Sequence, residues 1–134
     1  MAEAVAFDDA VALAISWLKT QYVARGESAK VASKVPNPRP NRFTRVSDGG
    51  GIRRNLAQNS PRLIIDSWDS GEVSAYSLHR LNRALIGALD GETIGDTLVS
   101  VVTEVGNPGL VYDPDTNLPR YQFTVELILG GTLI

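Results

Sequence analysis

The chain has 134 residues, enough for one domain with its own buried core. It has no cysteine and a single histidine, His79, which excludes disulfides, thiol nucleophiles, Cys-ligated zinc and His-cluster metal sites. A net charge of −2, with 43% hydrophobic and 21% charged residues, is an ordinary globular balance, and no run approaches the ~18 apolar residues of a membrane helix. The start MAEAVAFDD is acidic and lacks a basic n-region, so no secretory signal is expected.

The small net charge hides a segregation along the chain. Residues 30–62 carry eight basic residues (Lys30, Lys34, Arg39, Arg42, Arg45, Arg53, Arg54 and Arg62) against Asp48 alone. Residues 63–134 carry three arginines against ten acids. Such a chain can attract copies of itself head to tail, or turn a basic face toward nucleic acid. It can also simply neutralise itself across the fold.

The first predicted element is a helix from Asp8 to Tyr22. Val11, Ile15, Leu18 and Tyr22 share one face, widened by Leu13 and Trp17. Asp8 or Asp9 can cap its start, and Gly26 can end it. Lys30–Val35 alternates as a strand and stops at the prolines Pro36, Pro38 and Pro40. A second strand is expected at Arg42–Val46, followed by a flexible tip at Asp48-Gly49-Gly50-Gly51. A third, Arg62–Trp68, is apolar enough to be central. Asp69 and Glu72 then form a capping-box variant for a second helix. Leu78, Leu81, Leu85, Ala88 and Leu89 give its buried stripe, Asn82 sits off that stripe, and Asp90-Gly91 closes the helix. Strands follow at Thr97–Val105 and Arg120–Leu129, separated by a long turn-rich loop, Gly106–Pro119.

The order α-β-β-β-α-β-β predicts a single α+β domain over residues 1–134. Its mixed or antiparallel sheet has about five strands, with two helices packed on one face. No segment carries an enzymatic signature. The triple glycine lacks the GK[ST] ending of a phosphate loop and runs into Ile52-Arg53-Arg54. Asp113-Pro114-Asp115-Thr116-Asn117 starts like a calcium loop, but Leu118 and Thr124 occupy the positions where Gly and Glu are needed. These Asp, Pro and Asn residues build turns instead. No cofactor and no metal are expected. The residues alone reach a small assembly or binding module.

Several segments, in order, resemble the tail terminator proteins of long-tailed, siphovirus-type actinobacterial phages. They are Val35-Pro36-Asn37-Pro38-Arg39-Pro40, Phe43-Thr44-Arg45-Val46 and Gly50-Gly51-Ile52-Arg53-Arg54-Asn55. The strand ending in Trp68 before the Ala75–Leu89 helix follows, then Tyr112-Asp113-Pro114-Asp115 leading into Pro119-Arg120-Tyr121-Gln122-Phe123-Thr124-Val125. The resemblance implies an α+β virion protein of the head-proximal tail end, assembled in the host cytoplasm. Such proteins form a ring, usually of six subunits, that stops tube polymerisation and offers the head-joining surface. Implied partners are further copies of itself, the tail tube protein, the head completion or connector protein and the tape measure protein, with DNA passing only through the lumen and no membrane. Arg42, Arg45, Arg53, Arg54, Asp113, Asp115 and Arg120 are the expected ring or partner contacts. A head–tail connector or neck protein, or a tube subunit, is the nearest alternative. A nucleic-acid-binding domain using residues 30–62 is a more distant one.

Overall fold

The computed structural model describes residues 2–134, Asn107 by its backbone only. Its elements are β1 (Val5–Ala6), α1 (Ala10–Arg25), β2 (Lys30–Ala32), β3 (Phe43–Arg53), β4 (Gln58–Trp68), α2 (Glu72–Gly87), β5 (Thr93–Ile94), β6 (Thr97–Tyr112), β7 (Pro119–Gly130) and β8 (Thr132–Leu133). The fold is α+β in the expected order, with three two-residue strands added. The main sheet has six strands in the order β2-β3-β4-β7-β6-β5. All pairs are antiparallel except β2 with β3. β1 and β8 form a separate ribbon joining the two ends of the chain.

Both helices pack on one sheet face. Asp9 Oδ1 accepts from the Val11 and Ala12 amides, and Gly26 takes the left-handed conformation (φ 67°) that ends α1. Trp17 Nε1 donates to the Leu85 carbonyl at 2.8 Å, tying α1 to α2. Leu18, Leu78, Leu85 and Leu89 meet Val46, Leu63, Ile65, Val125 and Leu127 in the core.

Four local expectations change. Asp69 does not cap α2: Gly71 occupies that position without a side-chain bond, because Asp69 is held by Arg42 and Ser70. The helix ends at Gly87, before Gly91. Asn82 faces the core, where hydroxyls on two strands await it. The triple glycine is no free tip. β3 continues through it to Arg53 by way of a bulge between Asp48 and Gly51.

The long loop after residue 105 is also mostly strand. Beyond an irregularity between Val105 and Gly109, β6 resumes against β7, with Leu110 opposite Tyr121 and Tyr112 opposite Pro119. Cross-strand pairing thus overrides the Gly and Pro of the sequence. The true turn is short. Asp113 N–H donates to the Leu118 carbonyl at 2.9 Å, Asn117 N–H donates to the Asp113 carbonyl at 2.7 Å, and Asn117 has φ 55°.

Candidate functional site

The helix-free face of the sheet carries a concentrated charge cluster. One row of paired residues crosses the sheet from Lys30 through Phe43, Trp68 and Arg120 to Val111. Beside it run Arg45, Asp66 and Gln122. Strand alternation puts Phe43, Arg45, Asp66, Trp68, Arg120 and Gln122 on the side away from the helices.

Trp68 is buried there. Phe43 stacks on it at 5.6 Å between centroids, and the guanidiniums of Arg39, Arg45 and Arg120 lie 5.2, 5.1 and 5.7 Å from its ring. Asp66 is fully buried beneath them. Arg45 donates to its Oδ2 at 2.8 Å, Gln122 to its Oδ1 at 2.9 Å, and Arg120 stands at 3.8 Å. Arg39 reaches the hairpin turn and donates to Asp113 Oδ2 at 3.1 Å. Burial pushes the Asp113 carboxyl up, but the Asp115 amide and Arg39 outweigh it and hold it below its ordinary value.

Arg42 has its own partners at the same end of the strands. It makes two bonds to Glu27, at 2.8 and 2.9 Å, one to Asp69 at 3.0 Å and one to the Ser74 carbonyl at 2.9 Å. The bonded guanidinium holds Glu27 below the usual glutamate value against the opposing effect of burial.

Arg53 and Arg54 lie at the opposite end, in the β3–β4 hairpin. Arg53 donates to the carbonyls of Asn55 (3.0 Å) and Leu56 (2.8 Å) and lies over Phe7. Arg54 and, in the other hairpin, Asp115 are exposed. The seven expected contact residues therefore fall into separate groups. Arg45, Arg120 and Asp113 converge through Trp68, Asp66 and Arg39. Asp115 is exposed in the turn beside Asp113, Arg42 stands apart from them, and Arg53 and Arg54 lie far off.

Sequence reasoning left Arg39, Asp66 and Trp68 out of the cluster. The available signal was Asp66 itself, a carboxylate inside the apolar run Leu63–Trp68. A charge buried in a central strand requires partners.

His79 is a core residue on α2. Its ring lies against Tyr121 (5.2 Å), Phe123 (5.5 Å) and Tyr76 (5.8 Å). Burial, then the charge of Arg83, holds its imidazole below the ordinary histidine value. Among the described residues no group of three or more His, Asp or Glu is placed to hold a metal ion. No helix among them is long and apolar enough to cross a membrane.

The fold is similar to that of a chain in the solved structure of the virion of a native gene transfer agent (GTA) particle. The TM-score is 0.63 at 12% sequence identity, over 92% of this chain and 100% of that one. No family model matches the sequence, and no curated protein does.

Proposed function

We propose that the chain is a structural protein of a virion and, within it, a tail terminator. The observation that carries this reading is the likeness in fold, over nearly the whole of both chains, to a component of the gene transfer agent virion. The ordered segments from Val35 to Val125 supply the finer assignment by their resemblance to tail terminators. On this reading copies of the chain close a ring, usually of six, on the head-proximal end of the tail tube. The ring meets the tube protein on one side and a head completion protein on the other, and DNA crosses its lumen.

The open sheet suits that role. A ring of identical subunits requires two unlike surfaces on each, placed so that the contact closes on rotation. The sheet has unlike edges: β2 and the far half of β3 on one side, and β6 on the other, where β5 covers only Thr97 and Leu98. Arg53, Arg54 and Asp115 are the charged contact candidates at the two hairpins.

The basic segment favours a protein partner over nucleic acid. Of its eight cations, Arg39, Arg42, Arg45 and Arg62 are already paired with acids of the same chain. A phosphate-binding face needs such groups available on one surface. A purely structural role fits these pairings, and we assign the chain no catalysis.

Electron microscopy of tail tubes incubated with gold-labelled protein tests the assignment. The expected result is label at one tube end with growth halted there. Label along the tube identifies a tube subunit, and label on filled heads alone identifies a neck protein. Either overturns the terminator assignment.

A further inference from the structure

The row of residues from Lys30 to Val111 ends at two surfaces of opposite character. At the Lys30 end a groove of about 870 Å³ opens between the C-terminal turns of α1, β2 and the proline loop. Buried Tyr22 and Val31 form its floor, with Val23 (84% exposed) and Pro38 beside them. Lys19 and Lys30 lie on its rim, and Glu27, which also lines it, is already neutralised by Arg42.

At the Val111 end, α2 and β6 present an apolar projection. Val73 is 87% exposed, and Tyr76, Leu110 and Tyr112 are exposed as well. They are contiguous: Tyr76 packs edge-on against Tyr121 at 5.3 Å, Leu110 is the cross-strand partner of Tyr121, and the Tyr112 hydroxyl donates to Glu72. Acids flank this projection. Glu72 lies on α2, and exposed Asp115 lies in the adjoining turn.

We propose that the Val73–Tyr76–Tyr112 projection of one copy docks into the Val23–Pro38 groove of the next. The proposal rests on the ring reading and names its contact. Three features select a second copy as the occupant. The groove is apolar with a cationic rim, and the projection is apolar with an anionic one, so both apolar area and charge are complementary. The two surfaces sit at the same level of the strands, on opposite edges of one sheet. They are different surfaces, so their union is head to tail, which propagates and can close into a ring. Aromatic side chains against proline and valine, encircled by charge, have the composition of an interface centre.

The chain contains no cysteine, so engineered thiols report this contact without background. Val23→Cys and Val73→Cys are both surface changes, and circular dichroism checks each fold. Under mild oxidation, or with a short bismaleimide, the double variant should give a crosslinked ladder ending at the ring size. A mixture of the two single variants should stop at dimers, and neither single variant should crosslink by itself. The same crosslink should form on capped tails. Lys19→Glu with Lys30→Glu should abolish the ladder. Crosslinking of either single variant alone, or capped tails without the Val23–Val73 crosslink, overturns the proposal and leaves the terminator role standing. Ladders from protein that never binds a tube end leave this contact standing and remove that role.

Discussion

Asn82 of α2 donates from Nδ2 to Thr44 Oγ1 on β3 at 2.9 Å, and to Ser67 Oγ on β4 at the same distance. Its Oδ1 accepts from the Tyr22 hydroxyl of α1, which also pairs with Thr44 at 2.9 Å. One buried amide thus links both helices to two strands. A satisfied buried network fixes a single packing, whereas removing one member strands the others without water. Asn82→Ala should therefore cost about 2–4 kcal/mol, more than the loss of a few atoms alone. Urea unfolding followed by circular dichroism measures it, and a loss below about 1 kcal/mol contradicts the account.

The same network makes stability depend on alkaline pH. Burial, opposed by the bond to Thr44, pushes the Tyr22 hydroxyl up to about 12. A phenol exposed by unfolding ionises near 10. The folded value is raised, so the contribution is complete below about pH 10 and is lost as pH rises toward 12. Absorbance titration at the tyrosinate band should show one late step, at about 12, after Tyr112, whose bond to Glu72 also raises its hydroxyl above the ordinary value. Tyr22→Phe should remove that late step and flatten the alkaline fall in stability. If the late step survives in Tyr22→Phe, the assignment to Tyr22 fails.

Amphipathic periodicity made α1, the central strands and the core stripe of α2 legible, because Leu18, Leu63, Leu78 and Leu127 are buried by area alone. Asn82 was misplaced for the opposite reason. Its burial depends on hydroxyls at positions 22, 44 and 67, and no local pattern reports distant partners. The charged cluster was half legible. Arg45, Arg120 and Asp113 stood out as charges, but Trp68 and Asp66, which bring them together, are defined by strand register. Gly106 and Pro108 read as loop because propensity is local. The pairing of Leu110 with Tyr121 that extends β6 is not.

The bulge in β3 distinguishes neighbouring glycines. Gly51 has φ 118°, and a Cβ there would lie 2.2 Å from the Ser60 carbonyl oxygen and 2.7 Å from Pro61 Cα. Backbone cannot withdraw as a flexible side chain can. Gly50 also has positive φ (87°), but a Cβ there meets nothing within 4 Å. Gly50→Ala should cost about 1–2 kcal/mol from conformation alone. Gly51→Ala should cost more, because a clash adds to strain. Paired thermal melts decide it, and equal losses would mean that the strand does not pass so close at residue 60.

Asp66 is the counter-ion for the guanidiniums around Trp68. Replacing it with Leu preserves apolar contact but leaves Arg45 and Arg120 without that counter-ion. Breaking a buried pair from one side is costly, tempered here because Arg45 retains 31% side-chain exposure. The expected loss is about 2–4 kcal/mol. Asp66→Asn keeps an acceptor for Arg45 and Gln122 and should lose less. Trp68 fluorescence, read in a Trp17→Phe background, should shift in Asp66→Leu as the cations over its ring are released. An unchanged spectrum with unchanged stability would show that Asp66 does not organise the cluster.

Charge reversal at the β3–β4 hairpin separates assembly from folding. Arg54 is exposed, so Arg54→Glu changes surface charge and little else. Arg53 also staples its own turn through the Asn55 and Leu56 carbonyls, so Arg53→Glu loosens the tip as well. Neither residue touches the helical core, and the double variant should keep its circular dichroism and unfold within a few degrees of the parent. If this hairpin meets a partner in the tail, the double variant should fail to cap tube ends, Arg54→Glu should weaken capping in a salt-dependent way, and Arg54→Lys should restore it. Label counts on tube ends measure each case. Normal capping by the doubly reversed protein would take the hairpin out of the interface, leaving the groove and projection at the other end of the strands to hold the subunits together.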